Sequence, residues 1–314
     1  MTTHLAPELL ALLPTDDDIA YYREHGFYVS QVIVPEPVLD GALRGMERFY
    51  AGDRDAPLPR FPEVDDPGWK PADGDVLRKN DYASLQVREL ADLVRYPIIG
   101  AVAARLSGAS LVRLWHDQLL YKPIDRPDRP ANVGWHTDRQ YWRSCTSDRM
   151  LTAWVPFHDV DEATGPLTFL DGSHRQPTAS SELDFFNHDL DGPERRLREN
   201  GHDVRKRVAT LRRGQVSFHH CRTVHGSGPN GGLVPRRSIA IHVQPGDNRH
   251  RLAHTADGRV VEHFNDRLCR RVDGVPDYTD PHLFPVLWDD AGPFGQEPTA
   301  TGQPAGRAVR SEAS

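Results

Sequence analysis

The sequence predicts a mainly β fold flanked by helices. Runs in which apolar and polar residues alternate with the period of a strand recur from Leu111 to Val243, whereas helical periodicity is concentrated before that stretch. The chain of 314 residues has 26 prolines and 25 glycines, which favours a loop-rich β architecture. Because no linker interrupts the middle of the chain, we expect one domain over residues 1–290, with helical support over 16–107 and a β core over 111–250.

The N-terminal third is expected to be mostly helical. Its first helix follows Thr15, whose hydroxyl can cap the helix, and ends at Gly26. Three elements follow: a strand over 27–34, a helix over roughly 37–50 and a helical pair over about 84–107. The Pro- and Asp-rich stretch 52–74 is longer than a connector needs, so it is either disordered or the cover of a site.

The first strand of the β core, over 111–122, separates two kinds of side chain. One face carries His116, Gln118 and Lys122, and the other carries Trp115, Leu119 and Tyr121. Polar groups aligned on a single face indicate a wet interior, but a solvent-facing strand accounts for them equally well.

The remaining strands are expected over 150–157, 167–170, 208–211, 215–218 and 236–243. The turn at 161–166 predicts that the first two of these strands form a hairpin. Residues 176–207 have little pattern, so we expect an insertion or lid with a helix around 193–200. From 291 to 314 the chain has no periodicity, and we expect a disordered tail.

A single His-x-Asp occurs among the sixteen histidines, at His136 and Asp138. In an extended strand these two side chains lie on the same face, where both could bind one cation. His225, just before a Gly/Pro/Asn cluster, is the best candidate for a third ligand. Two histidines and one carboxylate are typical of non-haem Fe(II) oxygenases. On spacing alone, however, a lone His-x-Asp does not establish a metal site.

The strand over 236–243 indicates which arginine points inward. Ile239, Ile241 and Val243 form its apolar set and must face a core, and Arg237 belongs to that set. Arg236 therefore shares the opposite, interior face with small and polar residues.

Composition excludes several classes of protein. The formal net charge of −7 argues against a nucleic-acid partner. Three widely spaced cysteines suggest neither a disulfide framework nor a zinc knuckle. The first residues have no basic segment or cleavage site of a signal peptide, and no apolar stretch approaches the roughly 20 residues that cross a bilayer. We therefore expect a soluble, cytoplasmic protein with a small-molecule partner; the oligomeric state is not predicted.

Several motifs, in this order, resemble the phytanoyl-CoA dioxygenase family of Fe(II)- and 2-oxoglutarate-dependent oxygenases. The resemblance runs from about Ile19 to His250. It is carried by Trp135-His136-Thr137-Asp138, Trp154-Val155-Pro156-Phe157, Gly165-Pro166-Leu167, Gly172-Ser173-His174-Arg175 and His225-Gly226-Ser227. It implies a double-stranded β-helix, a cupin-like jelly-roll with helices on the larger sheet.

The resemblance also implies roles for particular residues. His136, Asp138 and His225 would be the catalytic iron ligands, and Arg236 would bind the distal carboxylate of 2-oxoglutarate. Gln118, Trp154 and Ser227 fall where contacts with this co-substrate are expected. Arg139, Gln140, Tyr141 and Trp142 follow the metal strand and either line the substrate side or pack in the core or at the surface.

The implied reaction consumes O2 and 2-oxoglutarate, releases succinate and CO2, and most simply hydroxylates a secondary metabolite or an amino-acid-like substrate. Because Asp138 is present, halogenation is not expected, whereas desaturation, cyclisation and epimerisation remain open. Two rival classes are a non-enzymatic jelly-roll binding protein and a zinc hydrolase.

Other histidines are less suited to be ligands. His219 and His220 rank below His225 because neither precedes Gly-Ser, and His116 and His242 could reach the interior as structural residues. We expect His158 and His174 to be structural as well.

Overall fold

The computed structural model describes residues 5–58, 69–176 and 183–291. Part of the 52–74 stretch, residues 177–182 of the expected insertion and all but the first residue of the expected tail lie outside the described residues. Among the described residues, no helix is long and apolar enough to span a bilayer.

The helices of the described chain lie mainly in its N-terminal third, as predicted. They are α1 (Pro7–Leu10), α2 (Asp16–His25), α3 (Glu36–Tyr50), α4 (Arg88–Val94), α5 (Pro97–Ser107), α6 (Asp191–Glu199) and α7 (Phe264–Leu268). Helix α2 begins as its sequence predicts, because the Thr15 side chain accepts a hydrogen bond from the Asp18 amide. It ends at Gly26, whose φ of 80° is the left-handed conformation that glycine adopts without strain.

The strands of the described chain are β1 (Phe27–Val29), β2 (Arg78–Asp81), β3 (Leu111–Lys122), β4 (Val133–His136), β5 (Leu151–Pro156), β6 (Leu167–Leu170), β7 (Lys206–Ala209), β8 (Ser217–His220), β9 (His225–Ser227), β10 (Arg236–Pro245), β11 (Ala253–His254), β12 (Val260–Val261), β13 (Arg271–Val272), β14 (Val275–Pro276) and β15 (Val286–Asp289). The larger sheet has the order β1-β8-β5-β10-β3-β15, with β2 also paired to β3. The smaller sheet has the order β4-β9-β6-β7, and all of these pairings are antiparallel.

The two sheets face each other, as in a jelly-roll. Their shared interior contains Phe27, Leu120 and Trp154 of the larger sheet together with Leu167 and Phe169 of the smaller one. The expected jelly-roll architecture is therefore observed.

The opposite face of the larger sheet packs against the helices. Ile239, Ile241 and Val243 of β10 join Leu39 of α3 and Leu90 of α4 in one core cluster. The period-two alternation of β10 therefore separates the helix-facing residues from Arg236, Ser238 and His242 in the interior.

Three local predictions are wrong. Strands β5 and β6 do not form a hairpin, because β5 lies in the larger sheet and β6 in the smaller. The strand expected over 27–34 ends at Val29. Trp115 does not share the face of Leu119, because a bulge in β3 opposite His242 and Val243 shifts it into a second cluster with Tyr278 and Phe284.

Candidate metal centre

His136, Asp138 and His225 converge although they lie far apart in the chain. Strands β4 and β9 are neighbours, and His136 pairs directly with His225 across them. One potential ligand atom of each of the three residues lies within 4.8 Å of the others, and all three residues are buried. This donor set suits Fe(II) and also Zn(II).

Hydrogen bonds to the backbone orient both imidazoles. His136 Nδ1 lies 2.8 Å from the Gly134 carbonyl oxygen, and His225 Nδ1 lies 2.9 Å from the Thr223 carbonyl oxygen. Because a carbonyl only accepts, both Nδ1 atoms carry the proton and both Nε2 lone pairs are free for a cation. Burial, the largest cause, lowers the pKa of both histidines, which therefore stay neutral as metal binding requires.

The Asp138 carboxylate is held through one oxygen. The Thr152 hydroxyl donates to Oδ2 at 2.5 Å, and His219 Nε2 lies 3.3 Å from the same oxygen. Oδ1 lies 3.9 Å from His225 Nε2, on the side of the two imidazoles. Burial would raise the pKa of Asp138, but His219, His225 and His242 together hold it well below its usual range. An ionised oxygen is thus presented toward the two histidines.

A buried guanidinium lies in the same interior. Arg236 donates to the Gly165 carbonyl and, at 3.1 Å, to Ser227 Oγ, and it lies 5.1 Å from the centroid of the Trp154 ring. Burial lowers its pKa to about 9. Among the described residues it forms no ion pair with a carboxylate, and its Nε has no hydrogen-bond partner. A buried cation without a counter-charge is unstable unless an anion joins it.

A second buried cation adjoins the first. Lys122 pairs with Arg236 across β3 and β10, and its Nζ donates to Ser227 Oγ, to the Ser227 carbonyl at 3.2 Å and to the Gly228 carbonyl at 2.5 Å. Burial and then the charge of Arg236 lower the pKa of Lys122 well below its ordinary value. The sequence indicates only the face of the strand on which Lys122 lies, because its place opposite Arg236 depends on the pairing of two distant strands.

Further polar atoms on this interior face also lack a partner in the described structure. These are Trp154 Nε1, Ser217 Oγ and Ser238 Oγ, on neighbouring strands β5, β8 and β10. Buried donors without an acceptor are rare in folded proteins. Together with Arg236 they form a group of buried hydrogen-bond donors. Such a group fits the carboxylate acceptors of a dicarboxylate such as 2-oxoglutarate.

A cavity of about 270 Å3 opens beside the triad. His136, Asp138 and Gln118 line this cavity together with Tyr141 and Trp142. Of the other co-substrate residues expected from the sequence, Trp154 and Ser227 lie next to Arg236.

Arg139 and Gln140 do not line this cavity, which favours the second of the two possibilities that the sequence left open for them, packing in the core or at the surface. After Thr137 the chain forms a 3-10 turn over Asp138–Gln140, so strand alternation no longer applies. The Arg139 guanidinium donates to Asp148 at 2.7 Å and to the Trp142 and Cys145 carbonyls. The Gln140 amide instead bridges Thr137 and Leu183.

The remaining histidines separate into two groups. His116 and His242 do reach the interior, and His219 is buried beside Asp138. His158, His174 and His220 instead bond to the backbone away from the cavity.

Lys79, Phe185, Glu262 and His263 also line the cavity and were not identified as site residues. The chain around Lys79 and Glu262 forms only short elements, in which no alternation of apolar and polar residues shows which side chains face the interior.

The fold and the motifs have known counterparts. The family model described as "Phytanoyl-CoA dioxygenase (PhyH)" matches residues 22–238, more than half of the chain. The peroxisomal phytanoyl-CoA dioxygenase of Rattus norvegicus is 21% identical over 230 residues, which are 72% of this chain and 67% of that protein.

Two solved structures from nogalamycin biosynthesis have similar architecture. The carbocyclase SnoK is 23% identical, with a TM-score of 0.62 over 87% of this chain and 96% of that chain. The epimerase SnoN, solved with Fe3+, alpha-ketoglutarate and nogalamycin RO, is 25% identical, with a TM-score of 0.62 over 89% and 98%. The family expected from the motifs is therefore confirmed: the chain belongs to the phytanoyl-CoA dioxygenase family of Fe(II)- and 2-oxoglutarate-dependent oxygenases.

Proposed function

We propose that this chain oxidises a small molecule, most simply by hydroxylation, with His136, Asp138 and His225 as the iron ligands and Arg236 as the 2-oxoglutarate anchor. The observation that carries the proposal is the pairing of two sites in one interior. A triad with free donor atoms lies beside a buried guanidinium that has no carboxylate partner in the described structure. When bound there, Fe(II) and 2-oxoglutarate activate O2, and succinate and CO2 are released.

The chain's own residues supply position and electrostatics. Thr152 holds one oxygen of Asp138 and leaves the other for the metal, while two backbone carbonyls fix the ring orientations of His136 and His225. Arg236 offers a planar fork to a carboxylate, and Ser227 Oγ accepts a hydrogen bond from the guanidinium and so helps to orient it. Gln118 and Trp154 would enclose the rest of the co-substrate.

The rival classes account for less of the site. A zinc hydrolase would use the same triad, but it has no need for two buried cations and several unpartnered donors behind it. A binding protein without iron would leave three buried donor groups aimed at one point with no role. Desaturation, cyclisation and epimerisation use the same ligands and co-substrate, so they remain outcomes of the same site.

The proposal includes a cytoplasmic setting. Cys145, Cys221 and Cys269 are all buried and unpaired, which is the state expected of cysteines in a reducing compartment. The net charge of −7 further favours a small-molecule partner over nucleic acid.

The test combines a spectrum with a product assay on the full chain. Under anaerobic conditions, Fe(II) and 2-oxoglutarate should together give a weak visible charge-transfer band, and succinate should form on admission of air only when iron is present. His136→Ala should abolish both signals, whereas His254→Ala, at an exposed histidine, should change neither. Turnover supported by Zn(II), or failure of 2-oxoglutarate to bind the iron-loaded protein, would overturn the proposal.

A further inference from the structure

Exposed aromatic side chains surround the mouth of the cavity. Tyr141, Phe186 and Phe264 line it although their residues are 41%, 66% and 38% exposed. Phe185, between them and the metal centre, is buried, with its ring 5.0 Å from those of both Phe186 and His136. Exposed aromatic rings grouped at one opening mark a binding surface for an apolar partner.

The segment that carries two of these rings is firmly anchored. The Phe185 amide donates to the Tyr141 hydroxyl at 3.1 Å, and the Gly134 amide donates to the Phe185 carbonyl at 2.9 Å. Leu183 accepts a third bond, from the Gln140 amide at 3.1 Å. The backbone that carries Phe185 and Phe186 is therefore held in place before any ligand arrives, which lowers the entropy cost of binding.

The opposite wall comes from outside the region that the family model covers. Glu262, His263 and Phe264 follow residue 238, where that match ends. The His263 ring packs 4.9 Å from His116 and 5.1 Å from Trp115. This wall therefore lies outside the region that the family model matches.

The charged residues near the mouth are already neutralised. Lys79 pairs with Asp81 at 3.1 Å, and Glu262 pairs with Arg267 at 3.0 Å. A charged substrate would have to compete for these partners. The mouth therefore suits an uncharged ligand.

In the wall of the cavity, His242 offers one hydrogen-bond acceptor. Thr152 donates its only proton to Asp138, so its oxygen must accept the bond from His242 Nδ1, 2.7 Å away. His242 Nε2 is then an unprotonated acceptor, and it has no partner among the described residues. His242 itself is buried and lines the cavity.

We propose that the substrate is an uncharged, flat ring compound that bears a hydroxyl or N–H donor, with its ring on Phe185, Phe186 and Phe264 and its donor bound to His242 Nε2. This inference rests on the proposed oxygenase function and specifies its substrate class. His242 would thus be a specificity-determining residue, which selects how the ring presents its carbon atoms to the metal.

The proposal is tested with two probes that differ only in whether they carry a hydrogen-bond donor. 2-Naphthol and 2-methoxynaphthalene are titrated by calorimetry into the anaerobic protein loaded with Fe(II) and 2-oxoglutarate, and L-arginine serves as a charged comparison. We expect 2-naphthol to bind about 3- to 10-fold more tightly than its methyl ether, the factor that one hydrogen bond provides. L-Arginine should bind more weakly than both.

Variants separate the two contacts. Phe186→Ala and Phe264→Ala should weaken both naphthalene probes about 2- to 10-fold, whereas Leu233→Ala, at an apolar residue that is 94% exposed and remote from the cavity, should weaken neither. His242→Leu should remove the preference for 2-naphthol over its ether, a ratio that a general loss of packing would leave unchanged.

The outcomes distinguish this inference from the proposed function. If 2-oxoglutarate binds and neither naphthalene does, or if the preference survives in His242→Leu, the substrate class is wrong while the oxygenase assignment stands. If 2-oxoglutarate itself fails to bind, the proposed function fails first.

Discussion

At the scale of single residues, the site depends on hydrogen bonds that decide which atom of each side chain is free. Thr152 shows this most clearly, because its one hydroxyl contacts both Asp138 and His242. Its position on β5 follows from strand pairing with β8 and β10, and the alternation of β5 already placed it with Trp154 on one face.

Thr152→Val keeps the shape of the side chain and removes the bond to Asp138 Oδ2. The carboxylate should then rotate more freely, and affinity for Fe(II) should fall about 10- to 100-fold. Iron titration followed by the charge-transfer band measures this loss. Thr146→Val, at a threonine away from the cavity, is the control, and equal iron affinities in the two variants would contradict the role of Thr152.

Arg236→Met should be more stable than the natural sequence when 2-oxoglutarate is absent. Added 2-oxoglutarate should no longer stabilise the variant. The buried charge has no counter-charge in the described structure, and Gly165 keeps a partner in the variant because Ser227 Oγ donates to the same carbonyl at 3.1 Å. The free energy of unfolding should rise by about 1–4 kcal/mol, while 2-oxoglutarate affinity falls at least about 10-fold.

Urea unfolding with and without 2-oxoglutarate measures both effects of Arg236→Met. Arg237→Met is the matched control, since its side chain belongs to the other face of β10 and should leave 2-oxoglutarate affinity unchanged. A variant at 236 that still gains stability from 2-oxoglutarate would contradict the assignment of the anchor.

At the scale of elements, sequence reasoning succeeded where a single strand decides the answer and failed where two strands meet. Arg236 could be assigned to the interior because the apolar residues of its own strand define the opposite face. Trp115 could not, since the bulge that redirects it exists only relative to β10. The place of Arg139 could not be decided from the sequence, because the strand ends at a 3-10 turn that no alternation pattern predicts.

The metal strand β4 is equally dependent on its neighbour. A Cβ atom at Gly134 would lie 2.1 Å from the Asp184 carbonyl oxygen and 2.5 Å from that of Asn187. The absence of a side chain at this position lets the segment with Phe185 and Phe186 lie directly against the strand.

Gly134→Ala should therefore push this segment off β4 and destabilise the protein by about 1–3 kcal/mol. Urea unfolding measures the loss, and proteolysis should cut the variant faster within 183–190. Gly228→Ala, where an added Cβ meets nothing within 4 Å, is the control and should behave as the natural sequence does. Equal stability of the two variants would show that the close approach has no energetic consequence.

At the scale of the whole molecule, the C-terminal part was the least predictable. Strands β11 to β14 are two residues each, too short for any periodicity, yet the segment they belong to closes one wall of the cavity. The overall jelly-roll was predictable because many motifs in a fixed order pointed to one family, and the family model ends before this segment.

The buried histidines predict that the metal-free protein loses stability in acid. Burial lowers the pKa of His220, His242 and His263 to about 4 in each case. Between about pH 6.5 and pH 4 these histidines bind protons in the unfolded chain but stay neutral in the folded one. The free energy of unfolding must therefore fall as pH falls. His220 lies away from the cavity. In His220→Gln, the loss of unfolding free energy between about pH 6.5 and pH 4 should be smaller by up to about 3 kcal/mol.

Urea unfolding at pH 7, 5.5 and 4.5 measures the slope, and His254→Gln at an exposed position should leave it unchanged. A flat profile in the natural sequence would show that these imidazoles can be protonated in place.

The larger sheet begins with β1 and ends with β15, so its two outer strands come from opposite ends of the described chain. Its inner pairs also join segments that are distant in sequence, such as β1 with β8. Contacts of such long range make folding slow. During synthesis, the sheet can be completed only after Val286–Asp289 have left the ribosome. Strand β2 covers Gln118–Tyr121 of β3 on that side, but until β15 is made the edge at Leu111–Arg113 is an open template for pairing with another chain.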